Sequence, residues 1–133
     1  MSGMGNRFVI AGYQTPKPLI EMDGISIIEH IVKMFPGEED FVFICNSKHL
    51  EETSMRAVLR KIAPKGKIVE IPPHKKGPVY AVQYIESLID DDEEVIVNYC
   101  DFSCYWNYAD FLEHTRTRNA DGAVPAYKGF HPH

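Results

Sequence analysis

Phe41-Val42-Phe43-Ile44-Cys45 is an unbroken apolar run rich in β-formers, and reading outward from it decides the fold class. Glu38-Glu39-Asp40 precede the run and Asn46-Ser47 follow it, so it reads as a strand buried on both faces. Ser47 is a candidate N-cap. From it, Leu50, Met55, Val58, Leu59 and Ile62 recur at the spacings of one apolar helix face, until Pro64 and Gly66 end the pattern. Lys67-Ile68-Val69-Glu70-Ile71 is then a second short strand. Strand, helix and strand in sequence, with apolar residues on both faces of the strands, is the pattern of a parallel pair with its helix packed across it.

The same alternation continues on either side. After the loop Pro72-Pro73-His74-Lys75-Lys76-Gly77-Pro78, the residues Val79, Val82, Ile85, Leu88 and Ile89 mark a second helix face, closed by the solvated acidic run Asp90-Asp91-Asp92-Glu93-Glu94. Val95-Ile96-Val97 is a third strand leading into Asn98-Tyr99-Cys100-Asp101. Tyr108, Phe111, Leu112 and Thr115 predict a further helix, and Gly122-Ala123-Val124-Pro125-Ala126-Tyr127 a fourth extended segment. Toward the start, Ile25, Ile28, Ile31, Val32 and Phe35 predict a helix ended by Pro36-Gly37. The expected class is α/β, with a mostly parallel sheet between helix layers. Right-handed crossovers set the C-terminal ends of such strands on one edge, and ligands bind outside that edge. The turns after the strands are therefore the candidate site segments: Asn46, residues 72–77, residues 98–103 and whatever follows Tyr127.

The chain has 133 residues, 44% of them hydrophobic, 25% charged and 11% aromatic, which suits one ordinary domain over 1–133 and excludes intrinsic disorder. The apolar runs are too short to span a bilayer as a helix. A net charge of −5 argues against a nucleic-acid partner, because phosphate-backbone binding needs a basic stripe. Met1-Ser2-Gly3-Met4-Gly5 has neither the basic nor the apolar part of a secretory signal, so a cytoplasmic location is expected. Cys45, Cys100 and Cys104 are an odd set and read as reduced thiols. Cys100 and Cys104 lack further zinc ligands at workable spacing.

Three stretches carry chemistry. Ser2-Gly3-Met4-Gly5-Asn6-Arg7 offers two glycines that let backbone N–H groups approach an anion, and an arginine fork for phosphate oxygens; a plain chain terminus is the alternative. In Thr15-Pro16-Lys17-Pro18-Leu19 the prolines hold Lys17 on a stiff arm, where it would neutralise part of a triphosphate; a proline-rich loop is the alternative. Asp101, at the C-terminal end of a strand, is placed to share Mg²⁺ with substrate phosphates, or else is a turn or capping residue. His74-Lys75-Lys76 reads equally as a surface loop or a phosphate contact. Tyr105, Trp106 and Tyr108 read mainly as packing beneath the site. Lys128-Gly129-Phe130-His131-Pro132-His133 reads as part of an active-site loop.

Taken in order, Ser2-Gly3-Met4-Gly5-Asn6-Arg7-Phe8, then Ala11-Gly12-Tyr13-Gln14-Thr15-Pro16-Lys17-Pro18-Leu19-Ile20, then Gly24-Ile25-Ser26-Ile27-Ile28-Glu29-His30 resemble the N-terminal signature of sugar-phosphate nucleotidyltransferases of the capsule and surface-polysaccharide type. Gly77-Pro78-Val79-Tyr80-Ala81 resembles the family's glycine loop against the nucleotide base, and Val97-Asn98-Tyr99-Cys100-Asp101 the strand that delivers a magnesium-binding aspartate. The family usually has glycine where Cys100 stands.

The resemblance implies a three-layer Rossmann-like nucleotidyltransferase fold and transfer of a nucleoside monophosphate from a nucleoside triphosphate to a phosphorylated acceptor, with release of pyrophosphate. It implies Arg7 and Lys17 as catalytic residues and Ser2, Gly3, Met4, Gly5, Asn6, Gly77, Pro78 and Ala81 around the nucleotide. Asp101 would be the Mg²⁺ ligand. It further implies that the chain is incomplete at both ends, since Met1 stands inside the motif and the family continues beyond the equivalent of His133. An incomplete sheet would have an open edge, which invites self-association into a homo-oligomer, and the chain alone would be inactive. A non-catalytic nucleotide-binding module and a structural domain remain the other classes.

Overall fold

In chain order the elements are β1 (Glu21–Met22), β2 (Ile25–Ser26), α1 (Ile27–Lys33), β3 (Val42–Asn46), α2 (Ser47–Glu52), α3 (Met55–Ile62), β4 (Lys67–Ile71), α4 (Pro78–Gln83) and α5 (Tyr108–Thr117), with short 3-10 helices at Lys17–Leu19 and Glu86–Leu88. They belong to a computed structural model that describes Gly12, residues 15–126, Lys128 and Gly129. β3 and β4 pair in parallel, Val42 opposite Lys67 through Asn46 opposite Ile71. The connection between them carries α2 and α3, which bury Leu50, Met55 and Leu59 in one cluster with Phe43 and Cys45. Asn46 is buried at the strand end, and its Oδ1 accepts from the Lys48 N–H at 3.0 Å, capping α2.

The aromatic residues after the Asp101 turn extend this core. Phe35 meets Trp106 and Tyr108 edge to face, with centroids 5.7 and 5.5 Å apart. Trp106 Nε1 donates to the Met34 carbonyl at 3.0 Å, and the Tyr108 hydroxyl donates to Glu38 Oε1 at 2.7 Å. These contacts dock α5 on the end of α1, as the packing reading of Trp106 and Tyr108 expects. Tyr105 alone stays fully exposed.

The fold is thus mixed α/β, with a two-stranded parallel sheet and a two-stranded antiparallel pair among the described residues. The larger parallel sheet is not formed by them. Residues 95–97, expected as a third strand, join no ladder among the described residues, and their side chains stand exposed. Residues 122–126, the described part of the fourth extended segment, likewise pair with no described strand and are exposed. A strand exists through its partner's hydrogen bonds, and apolar composition alone does not supply a partner. Two helix boundaries also differ. Thr53 breaks the expected long helix, because its Oγ1 donates to the His49 carbonyl at 2.5 Å and accepts from the Met55 N–H at 3.2 Å, an arrangement that competes with helical hydrogen bonding. The front helix begins at Ile27, because Asp23 (φ 51) and Gly24 (φ 80) turn β1 onto β2 as a hairpin. The helix expected after Gly77 stops at Gln83 and is followed by the 3-10 turn.

Gly66 shows how tightly the parallel pair is packed. A Cβ there would lie 2.8 Å from Phe43 Cε2 and 3.1 Å from the Ala63 carbonyl oxygen, and the Phe43 ring is itself held in a stack on Phe41. Gly66→Ala is expected to lower stability by about 1–3 kcal/mol in urea unfolding followed by Trp106 fluorescence. Lys65→Ala, which removes only an exposed ion pair with Glu39, is expected to change it by less than about 1 kcal/mol.

Candidate functional site

Lys17 opens the 3-10 helix Lys17–Leu19, which follows Pro16 at φ −55 and ψ 138. The Leu19 N–H donates to the Pro16 carbonyl at 2.8 Å and the Ile20 N–H to the Lys17 carbonyl at 3.2 Å, while the Pro18 ring is buried. Two prolines and two turn hydrogen bonds therefore fix the backbone from which the lysine extends. Asp101 lies in the turn after residues 95–100. That turn is braced by the Asn98 side-chain amide, which donates to the Tyr99 carbonyl at 2.9 Å and to the Phe102 carbonyl at 3.3 Å.

Lys17 Nζ and Asp101 Oδ2 meet at 2.5 Å, joining positions 84 residues apart. The Lys17 and Asp101 side chains are 37% and 31% exposed, so the pair is open to solvent and to a ligand. Both residues line a cleft of about 1520 Å³. Gly77, Pro78 and Ala81 line it as well, from the start of α4. Gly77 sits at φ 87, a backbone region that favours glycine, and hands the chain to Pro78 in the first turn, while Ala81 is buried beneath. Much of the remaining wall is apolar, from Phe43 and Ile44 of β3 across to residues 95–97.

No family model, curated protein or solved structure matches the chain.

Of the residues singled out from the sequence, Lys17, Gly77, Pro78, Ala81 and Asp101 thus share one cleft, and Lys17 and Asp101 touch. Ser2, Gly3, Met4, Gly5, Asn6 and Arg7 lie outside the described residues, as do Tyr127 and residues 130–133. Cys100, which stands where the resembling family has glycine, packs its side chain against the core cluster. Burial pushes its thiol above the ordinary range, and the neighbouring Asp101 carboxylate adds to the shift.

Tyr80 and Tyr84, to which the sequence reading gave no role, gather with His74 and Lys76 of the loop read as surface or phosphate contact, and His74 lines the cleft. His74 and Tyr80 meet edge-on with centroids 4.9 Å apart, Tyr84 lies edge-on to Tyr80 at 5.5 Å, and Lys76 Nζ sits 4.3 Å over the Tyr80 ring. The Tyr84 hydroxyl 3.2 Å away and the Lys76 ammonium together hold the Tyr80 phenol below its usual range, and Tyr84 moves the opposite way. The i, i+4 spacing of Lys76, Tyr80 and Tyr84 was the available signal for this cluster. The acidic run behaves as expected: it is exposed, and Glu94 forms a two-pronged ion pair with Arg116.

The three cysteines are free thiols in distinct settings, buried at Cys45, part-buried at Cys100 and exposed at Cys104. Burial pushes the Cys45 thiol up to about 12 from 9.0. A thiol-specific chromophoric reagent at pH 8 is therefore expected to label Cys104 at once, and Cys45 only when the chain unfolds. The same shift fixes a pH dependence. Between pH 9 and 12 the unfolded chain has lost the Cys45 proton while the folded chain keeps it, so stability falls as pH rises through that window. Cys45→Ala is expected to flatten this decline.

Proposed function

We propose that the chain is a nucleotidyltransferase of the sugar-phosphate type, acting on a nucleoside triphosphate and a phosphorylated acceptor in surface-polysaccharide precursor synthesis. The observation that carries this reading is the Lys17–Asp101 contact in the cleft that also holds Gly77, Pro78 and Ala81. A lysine and an aspartate drawn from segments 84 positions apart, lining one cleft with a glycine turn of the loop after a parallel strand, supply the charges that phosphoryl transfer asks of a protein. A three-layer Rossmann-like arrangement of the sheet belongs to the same proposal.

An oxygen of the acceptor phosphate attacks the α-phosphorus. The new P–O bond forms as the bond from the α-phosphorus to the bridging oxygen breaks, and pyrophosphate leaves. Lys17 would offset the charge that develops at the α-phosphorus and on the attacking phosphate. Gly77, Pro78 and Ala81 would shape the base pocket. The roles of Gly3, Gly5 and Arg7 toward the triphosphate, with Ser2, Met4 and Asn6 beside them, rest on the sequence resemblance.

The residues fit a magnesium ion only as a shared ligand. Asp101 offers one carboxylate, and among the described residues no group of three or more acidic, histidine or cysteine side chains converges to hold a metal. That donor set suits an ion completed by water and substrate phosphates. When bound, the ion would neutralise phosphate charge, and Asp101 is the residue that would hold it.

Calorimetric titration with CTP, GTP, UTP and ATP in magnesium chloride, followed by a pyrophosphate-release assay with sugar 1-phosphates, tests the reading. Binding of one nucleotide and release of pyrophosphate are expected. Absence of binding to all four overturns the nucleotide site. Binding without release in the presence of the acceptors replaces the enzyme with a nucleotide-binding module.

A further inference from the structure

The two charges that the proposed reading sends to different parts of the substrate face each other in the structure. Lys17 is assigned to phosphate and Asp101 to the cation, yet their charged atoms stand 2.5 Å apart. Each sits on a braced backbone: Lys17 between two prolines, and Asp101 on the turn held by Asn98.

The pair changes what the cleft presents. A free divalent cation approaching Asp101 meets a carboxylate already neutralised, with no other acidic, histidine or cysteine cluster among the described residues to hold it. A metal-free triphosphate approaching Lys17 meets an ammonium already engaged, and must displace Asp101 into water. It keeps His74 and Lys75, which line the same cleft, so its binding is weakened rather than lost. A cation and a triphosphate that arrive together avoid both penalties. One ion pair breaks, and two contacts of opposite charge replace it.

We infer that the Lys17–Asp101 pair is a charge latch through which the site selects the preformed complex of a divalent cation with a nucleoside triphosphate over either component alone. The inference rests on the nucleotidyltransferase reading and adds the form in which the nucleotide enters. The latch is worth what an exposed ion pair is worth, which corresponds to a factor of up to about five in affinity.

The test uses binding, read without turnover. Free Mn²⁺, measured by its electron paramagnetic resonance signal, is titrated against the wild type and Lys17→Met. The variant is expected to bind Mn²⁺ alone more tightly, by up to about fivefold. In EDTA, Asp101→Asn is expected to bind CTP, GTP, UTP or ATP, whichever binds best with the cation present, more tightly than wild type by a similar factor. In the wild type, Mn²⁺ and that nucleotide are expected to strengthen each other's binding, and the coupling shrinks in both variants. Should Lys17→Met fail to give the far-ultraviolet circular dichroism of the folded chain, Lys17→Gln serves for the same arm. Unchanged or weaker Mn²⁺ binding by the lysine variant, in a protein that still binds the cation–nucleotide complex, overturns the latch and leaves the nucleotide site standing. Failure of the wild type to bind any of the four nucleotides with Mn²⁺ overturns the nucleotide reading itself, and the latch falls with it.

Discussion

Replacing Lys17 by alanine is expected to lower pyrophosphate release from the best-binding nucleoside triphosphate and a sugar 1-phosphate by about 100-fold or more. That is the scale on which loss of one preorganised charge stabiliser acts. The effect should fall mainly on kcat, because the proposed contact strengthens as charge builds at the α-phosphorus and contributes less to the ground state. Lys17→Arg should recover part of the rate, since the charge survives but the compact ammonium does not. Loss of the fold would not explain such a result. The ion pair with Asp101 is more than a third exposed on the lysine side, and an exposed pair contributes about 0.2–1 kcal/mol, so thermal unfolding of Lys17→Ala should shift only slightly. A rate within about threefold of wild type would remove Lys17 from the chemistry. The binding test separates this role from the latch, since removing the lysine charge should tighten free-cation binding while it slows turnover.

The pieces of this site were legible in the sequence to different depths. Proline on both sides of Lys17 announced a stiff arm, and the parallel pair of β3 and β4 was readable because Phe43 and Cys45 are buried within an apolar run. Asp23-Gly24 also carried a hairpin signal, but the apolar period through Ile25 and Ile28 masked it. Thr53 shows a similar conflict: the helical period of Leu50 and Met55 continues across a residue whose hydroxyl takes over the local hydrogen bonds. Residues 95–97 look as strand-like as β4, and yet they pair with no strand among the described residues, because pairing depends on what lies alongside and not on the segment itself. The Lys17–Asp101 contact joins segments 84 residues apart, a distance over which no periodicity carries information. Only the resemblance of the two segments to parts of one family's site suggested that they would meet.

Leu59→Ala should produce the largest loss of stability among single core truncations of α3, about 2.7–5 kcal/mol. Leu59 is completely buried, stands one turn from the equally buried Met55, and shares the cluster of Phe43 and Cys45 that joins the connection to the parallel pair. Leu59 is enclosed on all sides by this cluster, so the wall around the missing methyl groups has little freedom to collapse, and the cost includes the cavity as well as the lost burial. A domain of this size has only about 5–15 kcal/mol in total, so the variant should unfold at a much lower urea concentration with an unchanged slope. Val79→Ala, at a side chain 75% exposed, should move the midpoint very little. The two also differ in how ligand acts on them. If the cleft binds a cation–nucleotide complex, saturation with that complex should raise the midpoint of Leu59→Ala by about the same free energy as in wild type, because Leu59 lies in the core and Lys17 and Asp101 keep their places. A rise of equal size would show that the core and the site contribute independently. A smaller one would show that α3 also sets the loop that leads from β4 to Gly77.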